Sequence, residues 1–247
     1  MPILTNHRDA PEQVLQRSAQ QDPWVMYLIV NPEAPASLLE LLLAATRATM
    51  RCSDTLGDHP AWRASFRAWS ERSFRKVTLR ARGAAWSKVQ ALEGGAGEVR
   101  GIEVIRALPP RLRSECGPLL KGLQVYNPET ASLPPDPAPP AELTSAHAMR
   151  FVFNPGATMS VGKQVAQIAH AVLMCAGSAW VEHPAYQAAF AAWRVEDYPG
   201  AILPSSRWEA LLREADGVVV RDAGLTEVEP GTATVLAMPP GYAVPPG

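Results

Sequence analysis

The chain has 247 residues, 47% apolar and 19% charged, with a formal net charge of −1. That length permits one large domain or two small ones with real cores, and the near-balance of charge excludes a global basic field for nucleic acid. Three cysteines (Cys52, Cys116, Cys175), an odd number without metal-type spacing, exclude a disulfide framework and fit a reducing compartment.

In chain order, residues 1–23 are polar and Gln-rich, with no apolar run of the kind a signal peptide needs. The run from Leu38 to Ala45 is broken by Glu40 and is too short to span a bilayer. A soluble, cytoplasmic protein is expected. Leu28-Ile29-Val30-Asn31-Pro32 reads as a strand and its exit. Asp58-His59-Pro60-Ala61-Trp62 leads to Phe66 and Trp69, so three aromatics fall at i, i+4 and i+7 on a short helix opened by proline. Arg75 to Leu79 is a further strand candidate, and Ala107-Leu108-Pro109-Pro110 closes the segment.

These signals then recur. Phe151-Val152-Phe153-Asn154-Pro155, Glu182-His183-Pro184-Ala185-Tyr186 with Phe190 and Trp193, and Ala237-Met238-Pro239-Pro240 repeat the three signatures in order. The chain therefore reads as two copies of one design, 24–110 and 148–240. Between them, 111–147 reads as a semi-stiff linker, with Pro128, Pro134, Pro135, Pro137, Pro139 and Pro140 in its later part. Residues 119–126 are a weak strand candidate, and the tail after Pro240 reads as loose. In the second copy the pattern predicts a strand at 149–153 and a helix from N-cap Ser160 to about Ala176. Helices follow at about 184–194 and, capped by Ser205 or Ser206, at about 205–215, with strands at 217–221 and 233–238. Strands interleaved with helices argue an α/β layered domain.

The most informative stretch is Met159 to Ala171. It puts Lys163, Gln167 and His170 on one helical stripe, at i, i+4 and i+7, while Val161, Val165, Ile168 and Val172 form the opposite, buried stripe. Some fifty residues later come Asp222-Ala223-Gly224-Leu225-Thr226 and then Gly231-Thr232-Ala233-Thr234-Val235-Leu236. The ordered pair of motifs, M-x-x-G-K-x-x-A-Q-x-x-H-A followed by D-A-G-x-T and G-[ST]-x-T-V-L-x-x-x-P, resembles the type 2 peptidyl-tRNA hydrolase family over about Met149 to Pro240. The resemblance implies a small mixed sheet flanked by helices. The expected fold class is therefore α/β: two tandem three-layer α/β/α domains, each a four-stranded mixed sheet flanked by helices. It also implies hydrolysis of the ester joining a peptide to the tRNA 3′ ribose, with peptidyl-tRNA as partner.

Lys163 lies in the first turn of its helix, where a cation opposes the macrodipole, so helix stability does not call for it. Gly162 beside it would let a ligand approach free N–H groups, making a small anion site for phosphate or a developing oxyanion. Asp222, at a strand end, would pair with Lys163 or place a water; alternatively it merely caps the Ala-Gly turn. His170 would position water or orient a side chain, or is a spectator. Gln167 would bond substrate or hold a loop. Thr226 and Thr234 offer hydroxyls, although threonine is also a good strand former. The family usually has Gln after the first threonine; Glu227 here puts a negative charge where nucleic acid would approach.

Other chemistries fit worse. Gly156 to Lys163 is one residue too long for a phosphate loop and ends in Gln164. No G-x-S-x-G, H-E-x-x-H or C-x-x-C occurs, so neither a nucleophile elbow nor a zinc centre is supported, and no cofactor or metal is expected.

The first copy lacks the set. Aligning Thr46 with His170 puts Leu39 and Leu43 opposite Lys163 and Gln167; shifting the one-residue gap gives Glu40, Ala44 and Arg47 instead. The copy is also about six residues shorter, near 94–98. Residues 24–110 hold 12 Arg/Lys against 8 Asp/Glu, and residues 149–240 hold 6 against 9. Arg63, Arg67 and Arg75 are therefore candidates for phosphate contacts, against the plainer reading of a solvated arginine-rich face. Together these features point to a monomeric hydrolase in which the degenerate copy stands in for a second subunit, without membrane contact. The rival is a non-enzymatic tRNA- or ribosome-associated binding protein.

Overall fold

The computed structural model describes residues 23–72, 74–136 and 146–244. The polar N-terminal segment, the prolines at 137, 139 and 140, and the last three residues of the tail lie outside the described residues.

Two mixed sheets form, with the same topology. In the first, β1 (Trp24–Val30) pairs in parallel with β2 (Arg75–Arg80) and antiparallel with β4 (Ile102–Ala107), which pairs with β3 (Gly95–Val99). In the second, β7 (Met149–Phe153) pairs in parallel with β8 (Gly200–Ile202) and antiparallel with β10 (Ala233–Met238), which pairs with β9 (Val218–Arg221). The first sheet gains two short strands, β5 (Arg111–Leu112) beside β1 and β6 (Gln124–Val125) beside β2. Residues 111–126 thus add strands and a short helix, α4 (Pro118–Gly122), to the first unit, and the proline-rich stretch begins after them.

Helices cover both faces of each sheet, because β1, β7 and β10 send apolar side chains to either side. Met26, Leu28 and Val30 pack under α1 (Leu38–Leu56) and α2 (Arg63–Arg72); Val25, Tyr27 and Ile29 face α3 (Gly83–Gln90) and α4 through Trp86, Val89 and Leu120. Likewise Phe151 and Phe153 pack under α5 (Val161–Ala176) and α6 (Gln187–Val195), while Val152 faces α7 (Trp208–Glu214) through Trp208 and Leu211. α1 and α5 pack on each other, so one apolar core joins the two units.

The duplication extends to small details. Trp69 and Trp193 donate their indole N–H groups to the carbonyls of Arg75 (2.8 Å) and Pro199 (3.1 Å). Phe74 and Tyr198 take positive φ values of 44° and 59° at the equivalent turns. The proline-opened helices begin later than the sequence predicts, at Arg63 and Gln187, because each His-Pro-Ala forms its own turn: His59 and His183 accept through Nδ1 from the N–H groups of Ala61 and Ala185. Ser205 and Ser206 sit in a 3₁₀ turn before α7, and neither caps it through its side chain.

The halves meet reciprocally. Phe74 of the first reaches the ring of His170 on α5 (5.2 Å between centroids), and Tyr198 of the second donates its hydroxyl to Asp54 on α1 (2.7 Å). Asp54 also holds Arg194, and Arg51 on α1 binds Asp197 through two hydrogen bonds.

Candidate active site

The site is assembled from α5, the end of β9, the loop 222–232 and β10. Ser160 caps α5: its Oγ accepts from Lys163 N at 3.2 Å. This fixes Lys163 as the third helical residue, and its chain runs back to Asp222, where Nζ lies 2.6 Å from Oδ2. Lys163 Nζ also donates to Thr226 Oγ1 at 2.9 Å. One turn along, Gln167 Nε2 donates to the same Asp222 oxygen at 2.5 Å, and its Oε1 accepts from Thr234 at 2.8 Å. Asp222 Oδ1 accepts from Gly224 N at 2.8 Å, so the carboxylate both receives the cluster and shapes the loop's first turn. Thr234 reaches inward because β10 is bulged there, between Ala233 and Val235.

The structure thus brings together five of the residues singled out in the sequence: Lys163, Gln167, Asp222, Thr226 and Thr234. Lys163 and Asp222 touch, and their side chains are only 11% and 7% exposed, so no open cleft separates them. In so weakly polar a setting, the attraction between the two charges is much stronger than in water. The loop above it remains exposed at Leu225, Thr226 and Glu227.

Gly162 has a different task from the one anticipated. A Cβ there would lie 2.0 Å from the Tyr126 carbonyl oxygen, so glycine admits the chain's own backbone rather than a ligand. Its carbonyl accepts from Thr78 Oγ1 at 2.8 Å. The start of α5 is also not left to an anion from outside: Glu227 accepts from Ser160 N (2.6 Å) and Ser160 Oγ (2.7 Å). In α1 the cap Ser37 is served by Glu40, three residues on, in a capping box. In α5 that third position is Lys163, and Glu227 supplies the missing carboxylate from the loop. The acidic residue that departs from the family's usual Gln is therefore a helix cap.

His170 faces the other half: its Nδ1 lies 3.0 Å from Lys76 Nζ, and its ring meets Phe74 at 62°. Arg63 opens α2 at the surface, and Arg67 is 78% exposed and pairs with Glu71 at 2.8 Å; neither touches the cluster. Arg75 opens β2 half-buried, where desolvation, and then Arg113, lower its pKa. Sequence reasoning missed Lys76 and Thr78. Two polar residues alternating on one face of a strand were the available signal.

The matching caps settle the helix register between copies: Glu40, Ala44 and Arg47 stand where α5 has Lys163, Gln167 and His170. The equivalent bulge in the first sheet leaves Val104 at the place of Thr234. The missing residues are lost from the turn at Arg100-Gly101, which replaces the loop 222–232; residues 95–99 form β3 itself. The start of α1 is crossed by the intervening segment, whose Asp136 accepts from Leu39 N at 2.9 Å.

The cluster lies within the part of the chain that known proteins match. The family model described as Peptidyl-tRNA hydrolase PTH2 matches residues 147–244. A peptidyl-tRNA hydrolase of Thermococcus sibiricus (strain DSM 12597 / MM 739) is 34% identical over 91 residues, covering 34% of this chain and 75% of that relative. No solved structure matches. With its motifs converging on one cluster and a relative matched over three quarters of its length, the chain belongs to the type 2 peptidyl-tRNA hydrolase family.

Proposed function

We propose that the second half hydrolyses the ester between a peptide and the tRNA 3′ ribose, releasing both. The observation that carries this reading is the convergence of Lys163, Gln167, Asp222 and Thr226 from two distant motifs. Ester hydrolysis needs a placed water, a donor for the tetrahedral oxyanion and a grip on the nucleic acid. Asp222 accepts from Lys163, Gln167 and the Gly224 amide, and these donors fix its orientation. In this role it orients the water and receives its proton. Lys163, with a third ammonium hydrogen beyond Asp222 and Thr226, stabilises the oxyanion or an adjacent phosphate. Thr226 lends its hydroxyl to the same atoms, Gln167 and Thr234 hold Asp222 in place, and His170 belongs to the same helical stripe.

Opening the closed pair is part of the proposal. Substrate inserts where Nζ and Oδ2 now meet, exchanging one anionic partner of Lys163 for another. The first half, 24–126, completes the molecule as a covalently attached partner, so the working unit is a monomer. Arg63, Arg67 and Arg75 are proposed as phosphate contacts, with Arg67 weakened by Glu71.

The test is tRNA release from an N-blocked aminoacyl-tRNA by the wild type and by Lys163→Met. Wild-type turnover that collapses in the variant supports the reading. Negligible turnover in both, with tRNA still bound, favours a binding protein on the same fold.

A further inference from the structure

β2 belongs to the half without the site, yet two of its side chains serve α5. Thr78 Oγ1 donates to the Gly162 carbonyl, and Lys76 Nζ lies 3.0 Å from His170 Nδ1. The equivalent strand β8 has Gly200 and Ile202 at these positions, and Gly200 packs on Leu43 of α1. These two strand-borne contacts are therefore one-sided, directed at the helix that holds Lys163, Gln167 and His170.

Lys76 is 9% exposed and lies against the rings of Trp69 (4.6 Å) and Phe74 (3.6 Å). No described carboxylate pairs with it. Desolvation drives its pKa well below the ordinary lysine value. Burying an amine without a counter-ion is costly, and the two aromatic faces offset only part of that cost. A methionine would fill the same volume without it. What the amine adds is a donor: among the described residues its polar neighbours are His170 Nδ1 and, at 3.5 Å, the Phe74 carbonyl.

We propose that Lys76, supplied by the degenerate half, is a positioning residue for the hydrolytic site, donating to His170 Nδ1 and so keeping the imidazole proton on Nε2. An imidazole in that tautomer is a hydrogen-bond donor at Nε2, suited to a water or the departing 3′ oxygen, and is not a base there. The degenerate half then contributes to turnover as well as to packing. This rests on the reading of His170 as a member of the site.

The experiment compares wild type, Lys76→Met and Lys76→Gln by ¹⁵N NMR of the His170 ring and by steady-state hydrolysis of an N-blocked aminoacyl-tRNA. In Lys76→Met the Nε2–H tautomer loses its dominance and kcat falls up to about tenfold, the weight of one lost hydrogen bond, while KM holds. Lys76→Gln, whose amide still donates, restores both. An unchanged tautomer in Lys76→Met overturns the proposal, as does a changed tautomer with kcat intact. A wild type inert toward the ester sinks the hydrolase reading instead, and the NMR result still decides whether Lys76 sets the His170 tautomer.

Discussion

Glu40 occupies in α1 the place that Lys163 occupies in α5: each is the third residue after a capping serine, and each backbone N–H is held by that serine's Oγ. One reaches back to complete its own cap. The other turns to Asp222 and leaves its cap to Glu227. At this one position the two helices differ in whether the cap is completed from within or by a distant loop.

Glu227→Ala removes the carboxylate that accepts from Ser160 N and Oγ. Loss of a capping partner costs about 0.5–2 kcal/mol. We expect denaturant midpoints to fall accordingly, with proteolysis rising in the 222–232 loop. A midpoint equal to wild type would mean that the loop is held by Thr226 and Lys163 alone.

Gly162→Ala places a methyl 2.0 Å from the Tyr126 carbonyl oxygen, where backbone must move on one side. Overpacking of this kind costs about 1–3 kcal/mol. Because the contact joins the halves, the loss should appear in the main unfolding transition. A variant as stable as wild type would contradict so close a packing of the two backbones.

Lys76 makes stability rise with pH. Its pKa is lowered in the folded state, by desolvation, relative to the unfolded chain. Between the two values the unfolded state binds more protons, and stability increases with pH until the ordinary lysine value is passed. Lys76→Met should be more stable than wild type at neutral pH, and its advantage should shrink as pH rises through that window. Parallel pH–stability curves would show that Lys76 titrates normally.

Much of this architecture was legible in the sequence, for a physical reason. The repeated strand exits, His-Pro turns and Pro-Pro closures are local signals, so they announced two copies and most strands. The pairing of Lys163 and Gln167 on one helical stripe needed only helical periodicity, whereas His170, two turns along, meets Lys76 and Phe74 of the other half. What the sequence concealed depends on contacts between distant segments. Gly162 looked like an opening for a ligand because its neighbour, the Tyr126 carbonyl, lies in another half. Glu227 looked like a charge out of place because its partner Ser160 is remote in sequence. The alignment of the two helices was ambiguous by one residue until the caps fixed it. The place of the shortening became clear only when β3 paired with β4.

Replacing Arg63 and Arg67 with Glu tests the contribution of the first half to tRNA binding. If they meet phosphates, affinity weakens and the log–log salt dependence flattens by about 0.9 for each duplex phosphate no longer neutralised. Arg63 should carry more of the effect, since Arg67 is already paired with Glu71. Unchanged affinity and slope would return these residues to a solvated face.

The central claim is that an acid–ammonium pair, Asp222 with Lys163, performs the hydrolysis. Its most direct test is single-turnover release of tRNA from a peptidyl-tRNA analogue by wild type and by Asp222→Asn, which keeps the side chain's shape and removes its charge. The account predicts bound substrate in both and a rate lower by about 10²–10⁴-fold in the variant, the usual weight of a general base. Equal rates in the two proteins would contradict it.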